Sequence, residues 1–338
     1  MSRKFTTKFL TETEYEKWSK FVSESPTGTI YSLPEYLKIL CEITGDQFRI
    51  LAVFQGSELV AGIALYEVWS KFLPVGISFP HRLLTYHSVV FKEYSTNYIS
   101  KKRARYAAIL EVLINKLLDI NYVYLKFNIY YLINDMRSFL NVGWKVIPSY
   151  SYLVDIQDIE NVWHNIEQNL RRLVNRGIKN GLNFCVDDDF DSFFKLYSNT
   201  YQRKGISLYF SENQYKKYYE FLREKNLCQL HQVRLNNNQS VGAFLILTDY
   251  NYNTYTVCAG SDNQYFNLGS SAFLRWKSFE YLSTLGYKNN DLTGASLGNV
   301  NNFKNQLGGN LITNWSVEKP THFSYLLYRK LRDFTKFK

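Results

Sequence analysis

Tyr255-Thr-Val-Cys-Ala-Gly260 reads as a strand, and residues 270–285 read as the helix that follows it across a loop. A second strand ends at Asp291-Leu-Thr-Gly294, and Asn302-Phe-Lys-Asn-Gln-Leu-Gly-Gly309 comes after it. Ala272, Phe273, Trp276, Phe279 and Leu282 recur at helical spacing and give that helix an apolar face. The Gly269-Ser270 turn between strand and helix predicts unpaired backbone N–H groups, a place where an anion can sit. The second strand carries Asp291 and Thr293 to the same sheet edge. This order suits a transferase that holds a phosphate-bearing donor.

Working outward, 338 residues suffice for two cores or one large α/β domain. With 46% hydrophobic and 21% charged residues the chain has a globular composition. A net charge of +10 favours phosphate-rich partners: a nucleotide, RNA, or an anionic membrane surface met peripherally. Met1-Ser-Arg-Lys-Phe-Thr-Thr-Lys8 lacks the apolar core of a signal peptide, and no apolar run is long enough to span a bilayer. Cys41, Cys185, Cys228 and Cys258 are scattered, which argues against disulfides and a structural zinc site and makes the cytoplasm the expected location. His81 and His87 have no ligand cluster beside them, so no metal is expected. No G-x-S-x-G elbow and no Walker A loop occur.

In the first half, residues 12–23 form a predicted helix capped by Thr11 or Thr13, and Leu33-Pro34 opens another that runs to about Glu42. Residues 49–54 and 58–68 pair as a hairpin across Gln55-Gly-Ser57. A strand at 85–91, a helix at 97–118, a strand at 122–127, a helix at 133–140 and a strand at 144–154 complete that half. In the second half, one helix covers 159–180 and is ended by Gly181. Helices at 190–203 and 211–225, a hairpin of 229–234 with 240–248, and a strand at 252–259 follow. Helices, hairpin, strand, helix, strand thus occur twice, about 180 residues apart, which predicts two copies of one α/β fold. Residues 322–334 read as a tail helix with Phe323, Leu326, Leu327 and Leu331 on one face.

Four segments then fall in a telling order: Asn169-Leu-Arg-Arg-Leu-Val-Asn-Arg-Gly-Ile-Lys-Asn-Gly181, Tyr201-Gln-Arg-Lys-Gly-Ile206, Cys258-Ala-Gly-Ser261, and Asp291-Leu-Thr-Gly294 with Phe303-Lys304 and Gly308-Gly309. In this order the second half resembles the Fem-type branch of the GNAT-fold acyltransferases. Tyr31-Ser-Leu-Pro-Glu-Tyr36 and Glu58-Leu-Val-Ala-Gly62 extend the resemblance more weakly into the first half. It implies an α/β fold of two tandem GNAT-like domains, each a mixed, largely antiparallel sheet flanked by helices. Residues 1–152 would be the acceptor side and 153–319 the donor side, with a helix at 320–338 packing back on the first. It also implies amide formation by attack of an amine on an activated acyl group. The best-known members use aminoacyl-tRNA to extend peptidoglycan precursors, and relatives use acyl-CoA.

The departures matter as much. Where the peptidoglycan enzymes grip the precursor's diphosphate with a lysine and an arginine, this chain has Leu40 and Tyr209, and Asn128 replaces an acidic residue. The acyl-CoA loop of simple GNAT enzymes, [RQ]-x-x-G-x-[GA], is not clean in the segment Gln264 to Ser271, and no coiled-coil arm is inserted.

On this resemblance Lys304 is the leading catalytic candidate, stabilising charge at the acyl carbonyl or contacting donor phosphate, and Asp291 is the second. Arg172, Arg176, Arg203, Gly269 and Ser270 are assigned to donor phosphate, and Lys38, Asn128, Tyr209 and Tyr255 to an acceptor cleft shaped by residues 70–82 and 207–213. The expected function is N-acyl transfer from acyl-CoA to an amino sugar or another cell-envelope precursor. The alternatives are an aminoacyl-tRNA-dependent peptidoglycan bridge enzyme and a non-catalytic binding protein on the same fold.

Overall fold

The computed structural model describes residues 4–68, 77–78, 83–295, 299–323 and 325. His81, most of residues 70–82, and the expected tail helix beyond Tyr325 lie outside the described residues. The chain divides into two compact units, Met1–Ser149 with Thr313–Lys338, and Tyr150–Ile312.

The first unit opens with β1 (Phe5–Phe9), α1 (Tyr15–Glu24) and α2 (Pro34–Thr44). Thr11 and Glu14 form a capping box ahead of α1. Pro34 starts α2, and Gly45, at φ +77°, ends it. Then come β2 (Gln47–Gln55), β3 (Glu58–Val68), β4 (Ile77–Ser78), β5 (Val89–Phe91), α3 (Ile99–Leu118), β6 (Tyr124–Ile129), α4 (Arg137–Leu140) and β7 (Lys145–Asp155). Antiparallel pairing joins β1 to β2, β2 to β3, and β3 to both β4 and β5. Leu51, Val53, Phe91 and Phe127 from the sheet pack with Ile109, Leu113 and Leu117 of α3. Each such side chain, fully buried, contributes about 1.5–3 kcal/mol.

The second unit contains α5 (Ile159–Asn165), α6 (Gln168–Lys179), β8 (Asn183–Asp187), α7 (Phe190–Arg203), α8 (Glu212–Glu224), β9 (Cys228–Arg234), β10 (Ser240–Thr248), β11 (Asn253–Ser261), α9 (Ser270–Thr284), β12 (Asn289–Asp291) and α10 (Asn299–Asn305). The last strand among the described residues is β13 (Asn310–Pro320). From β8 to β11 the pairing is antiparallel, β11 runs parallel to β12, and the end of β7 closes this sheet with Asp291 opposite Leu153. In return, Trp315 to Pro320 of β13 pair with β6 in the first unit.

The expected duplication holds: β1-α1-α2-β2-β3-β5-α3-β6-α4-β7 is repeated as β8-α7-α8-β9-β10-β11-α9-β12-α10-β13. Four details differ from the expectations. The 159–180 helix is broken at Ile166, whose ψ of 132° is extended. Residues 306–308 dock there: Glu167 N–H donates to the Gln306 carbonyl, and a Cβ on Gly308 would lie 2.7 Å from Asn165. The helix expected at 133–140 is confined to Arg137–Leu140, and the strand at 85–91 to Val89–Phe91. Residues 313–319, expected in the second domain, belong with the first unit because β6 is their partner.

Candidate functional site

The second unit's sheet opens beside β12. β11 and β12 pair only from Asn253/Asn289 to Tyr255/Asp291. On the other side of β11 the register jumps, Leu245 facing Cys258 and Ile246 facing Thr256, so Val257 is an extra, bulged residue. Past Tyr255 the β12 side of residues 256–261 carries no strand among the described residues. Gly260 brings α7 close to the same strand, since a Cβ there would meet Tyr197 N at 2.4 Å.

The loop after β12 is heavily tied. Leu292 N–H donates to Tyr152 O at 2.9 Å and Ala295 N–H to Tyr150 O at 2.7 Å. Asp291, fully buried, accepts from Thr293 N–H at 2.8 Å and from the Ser151 hydroxyl. Thr293 has a φ of +47°, a costly value for a β-branched residue, and its hydroxyl donates to Thr256 O at 2.6 Å. Lys304 reaches this loop from α10, and its ammonium donates to the carbonyls of Leu292 (2.7 Å), Thr293 (2.5 Å) and Gly294 (2.8 Å). Three N–H bonds meet three acceptors, so Lys304 binds its own chain instead of standing open on the surface. Burial pushes its pKa down to about 8; the Arg275 charge adds to this, Asp291 opposes it, and Lys204 adds again. The three carbonyls act in the same direction as Asp291, because they accept hydrogens from the charged form.

The Gly269-Ser270 turn is closed, contrary to its expected role. Residues Asn263–Leu268 form a 3-10 turn, and Gly269 follows at φ +82°. Ser270 is fully buried, with its hydroxyl donating to Tyr265 O at 3.1 Å. The cause is α6, which lies across α9: a Cβ on Gly269 would sit 2.1 Å from Leu173 O, and one on Gly177 2.8 Å from Phe273. Arg176 is spent on the same turn, donating to Asn267 O at 3.1 Å, whereas Arg172 is exposed on α6. Arg203 ends α7, donates to Ser261 O at 3.3 Å and Asn263 Oδ1 at 3.5 Å, and borders a cavity of about 330 Å³ with Asn199, Asp262 and Gln264.

The residues expected to meet an acceptor fall in both units. Lys38 is exposed on α2, and Asn128 on β6 donates to Thr85 O at 3.2 Å; both belong to the first unit. Tyr209, in the second unit, is 53% exposed. Tyr255 has no exposed surface and donates to Asp249 Oδ2 at 2.7 Å, so it is a core residue and not part of an open cleft.

Burial pushes the Asp249 pKa up to about 6, against the hydrogen bonds from Tyr255 and Asn253. An acid whose folded pKa is raised stabilises the fold at low pH and loses that contribution as pH rises through the folded value. The stability advantage of wild type over Asp249→Asn should therefore narrow by about 2 kcal/mol between pH 4 and 7. Urea unfolding across that range measures it, and a constant difference would refute the assignment.

Among the candidates, the fold brings Asp291 and Lys304 together and adds Ser151, Thr256, Thr293 and Arg275. Arg275 had a visible signal, a cation at helical spacing between Ala272 and Phe279 on an otherwise apolar face. Among the described residues no group of three His, Cys, Asp or Glu side chains is placed to hold a metal ion, and no helix is long and apolar enough to cross a membrane.

Residues 161–305 match the family model of the acetyltransferase (GNAT) domain. Among solved structures, FemX superposes with a TM-score of 0.72 at 14% identity, covering 96% of this chain and 99% of that one. L-PGS from Bacillus licheniformis gives 0.56 at 14%, covering 91% and 92%. A tandem GNAT protein from the clavulanic acid biosynthesis pathway gives 0.55 at 9%, covering 94% and 99%. No curated protein matches the chain by sequence. At such identities the structural likeness is one of fold. The second unit is an acyltransferase domain of the GNAT class, with the splayed β11–β12 pair that its loop and lysine border. The chain as a whole has the tandem GNAT fold that these solved structures share.

Proposed function

We propose that the second unit transfers an acyl group from a phosphate-bearing donor to a primary amine, with the reaction centred on Lys304. The observation that carries this is the half-buried ammonium seated on the 292–294 carbonyls beside the open edge of β11. A donor laid along residues 256–261 would bring its acyl carbonyl to that ammonium. Lys304 then gives up one main-chain carbonyl to the acyl oxygen as negative charge develops there. Asp291 acts as a positioning residue, holding Thr293 and so the loop that Lys304 grips. The amine loses one proton and the departing thiol or ribose hydroxyl gains one, so the transfer is proton-neutral.

The donor read first is acyl-CoA, with Arg172 and Arg203 meeting its phosphates, and the acceptor an amino sugar or related cell-envelope precursor. One observation favours a second reading, an aminoacyl-tRNA donor: the first turn of α9 is closed, so its N–H groups are poorly placed to cradle a diphosphate. Thermal unfolding with acetyl-CoA, and separately with bulk tRNA, tests both. The true donor at 100 times its Kd should stabilise the fold by about 2.7 kcal/mol. A response to neither would sink both readings and leave a binding protein.

A further inference from the structure

Arg275 lies on the face of α9 that meets the sheet and is 5% exposed. Its guanidinium sits 4.0 Å from the centroid of the Phe244 ring, and Nη1 donates to Thr256 Oγ1 at 2.7 Å. Its Nε is buried with no hydrogen-bond partner, and no carboxylate pairs with it among the described residues. A buried guanidinium left uncompensated is costly, and an apolar side chain of similar length would fill the space at less expense. The charge is therefore the feature to explain.

Thr256 connects it to the reaction centre. The Thr256 carbonyl takes the Thr293 hydroxyl, and the Thr293 carbonyl takes Lys304. The charged groups acting on Lys304 are Arg275 from α9, Asp291 from β12 and Lys204 just past α7. On β9, His231 is held neutral by burial and then by the Arg275 charge, with its pKa down to about 3. Among these groups Arg275 and Lys204 act on Lys304 against the single carboxylate of Asp291, so positive charge is in excess around Lys304 before any substrate arrives.

We propose that Arg275 is a positioning residue for acyl transfer, keeping the Lys304 centre one positive charge in excess so that charge developing on the acyl oxygen neutralises it. This rests on the reading that Lys304 faces that oxygen. Arg275 itself touches no substrate. It acts by making the ground state electrostatically incomplete, which favours the transition state over the bound substrate.

The test is the titration of Lys304 in the full chain, followed by competitive labelling with acetic anhydride against pH and read by mass spectrometry. Wild type should show a midpoint near 8. Arg275→Met should raise it by about one pH unit, and Arg275→Lys should leave it nearly unchanged. Where Arg275→Met does not fold, Arg275→Gln removes the charge while keeping a donor for Thr256 and is read the same way. Once a donor is in hand, the charge-removing variant should lose about 10- to 100-fold in kcat with KM unchanged, and Arg275→Lys should recover most of it. An unmoved Lys304 midpoint in a folded charge-removing variant overturns the inference, as does a moved midpoint with unchanged kcat. If Lys304→Met itself retains full activity, the reading of the reaction centre fails instead, whatever the titration shows.

Discussion

Lys304→Met is expected to lower acyl transfer by about 100- to 1,000-fold, the usual cost of removing one donor that meets a developing oxyanion. Its effect on stability should be modest. The three carbonyls lose a charged donor, but Gly294 is exposed and Thr293 partly so, and water can replace the ammonium there. A loss of about 1–3 kcal/mol follows. Lys304→Arg should not restore the rate, because a planar guanidinium cannot direct three N–H bonds to three carbonyls that converge on one nitrogen. Single-turnover rates alongside urea unfolding separate the two effects. If the rate falls only as far as the folded fraction does, Lys304 is a clamp for the loop and nothing more.

Gly269→Ala is expected to destabilise the second unit by about 2–5 kcal/mol, combining a left-handed backbone penalty with overpacking. The backbone is at φ +82°, and a methyl group would lie 2.1 Å from Leu173 O, a main-chain atom that moves only if α6 moves. Gly205 provides the control: its φ is +65°, but nothing lies within 4 Å of an added Cβ. Gly205→Ala should therefore cost only the backbone part, about 1–2 kcal/mol. Denaturant unfolding of both variants decides the matter, and equal losses would mean that the α6 contact is not what requires glycine at 269. A folded Gly269→Ala should also bind donor less tightly, since displacing α6 displaces Arg172.

Much of the fold was readable because local signals and packing agree. α7 starts and ends where it was expected, with Asp189 accepting from Ser192 N–H at its start and Gly205 in a left-handed conformation just past its end. The 229–248 hairpin follows from two strand-forming runs around an asparagine turn, and Asn238 does adopt positive φ. β1 and β8 escaped notice. Phe5-Thr-Thr-Lys-Phe9 and Asn183-Phe-Cys-Val-Asp187 are short and half polar, and their neighbours in the sheet make them strands.

By itself the sequence determined the class of molecule: a duplicated order of elements, an apolar helix after a strand, and a Phe303-Lys304 pair following Asp291-Leu-Thr-Gly294. These are properties of spacing and residue type, which local backbone preference and amphipathic packing express directly. Only the tertiary structure decided what the residues do. Nothing between Ile159 and Asn180 signals a break at Ile166; the docking of residues 306–308 imposes it. Nothing in Gly269-Ser270 says that α6 closes the turn, that Lys304 spends its three N–H bonds on the 292–294 carbonyls, or that Arg275 is buried without a carboxylate. Each of these is a contact between segments distant in the chain. Hydrogen-bond satisfaction and the cost of burying charge act on such contacts after the chain has folded, and a linear pattern of residues does not record them.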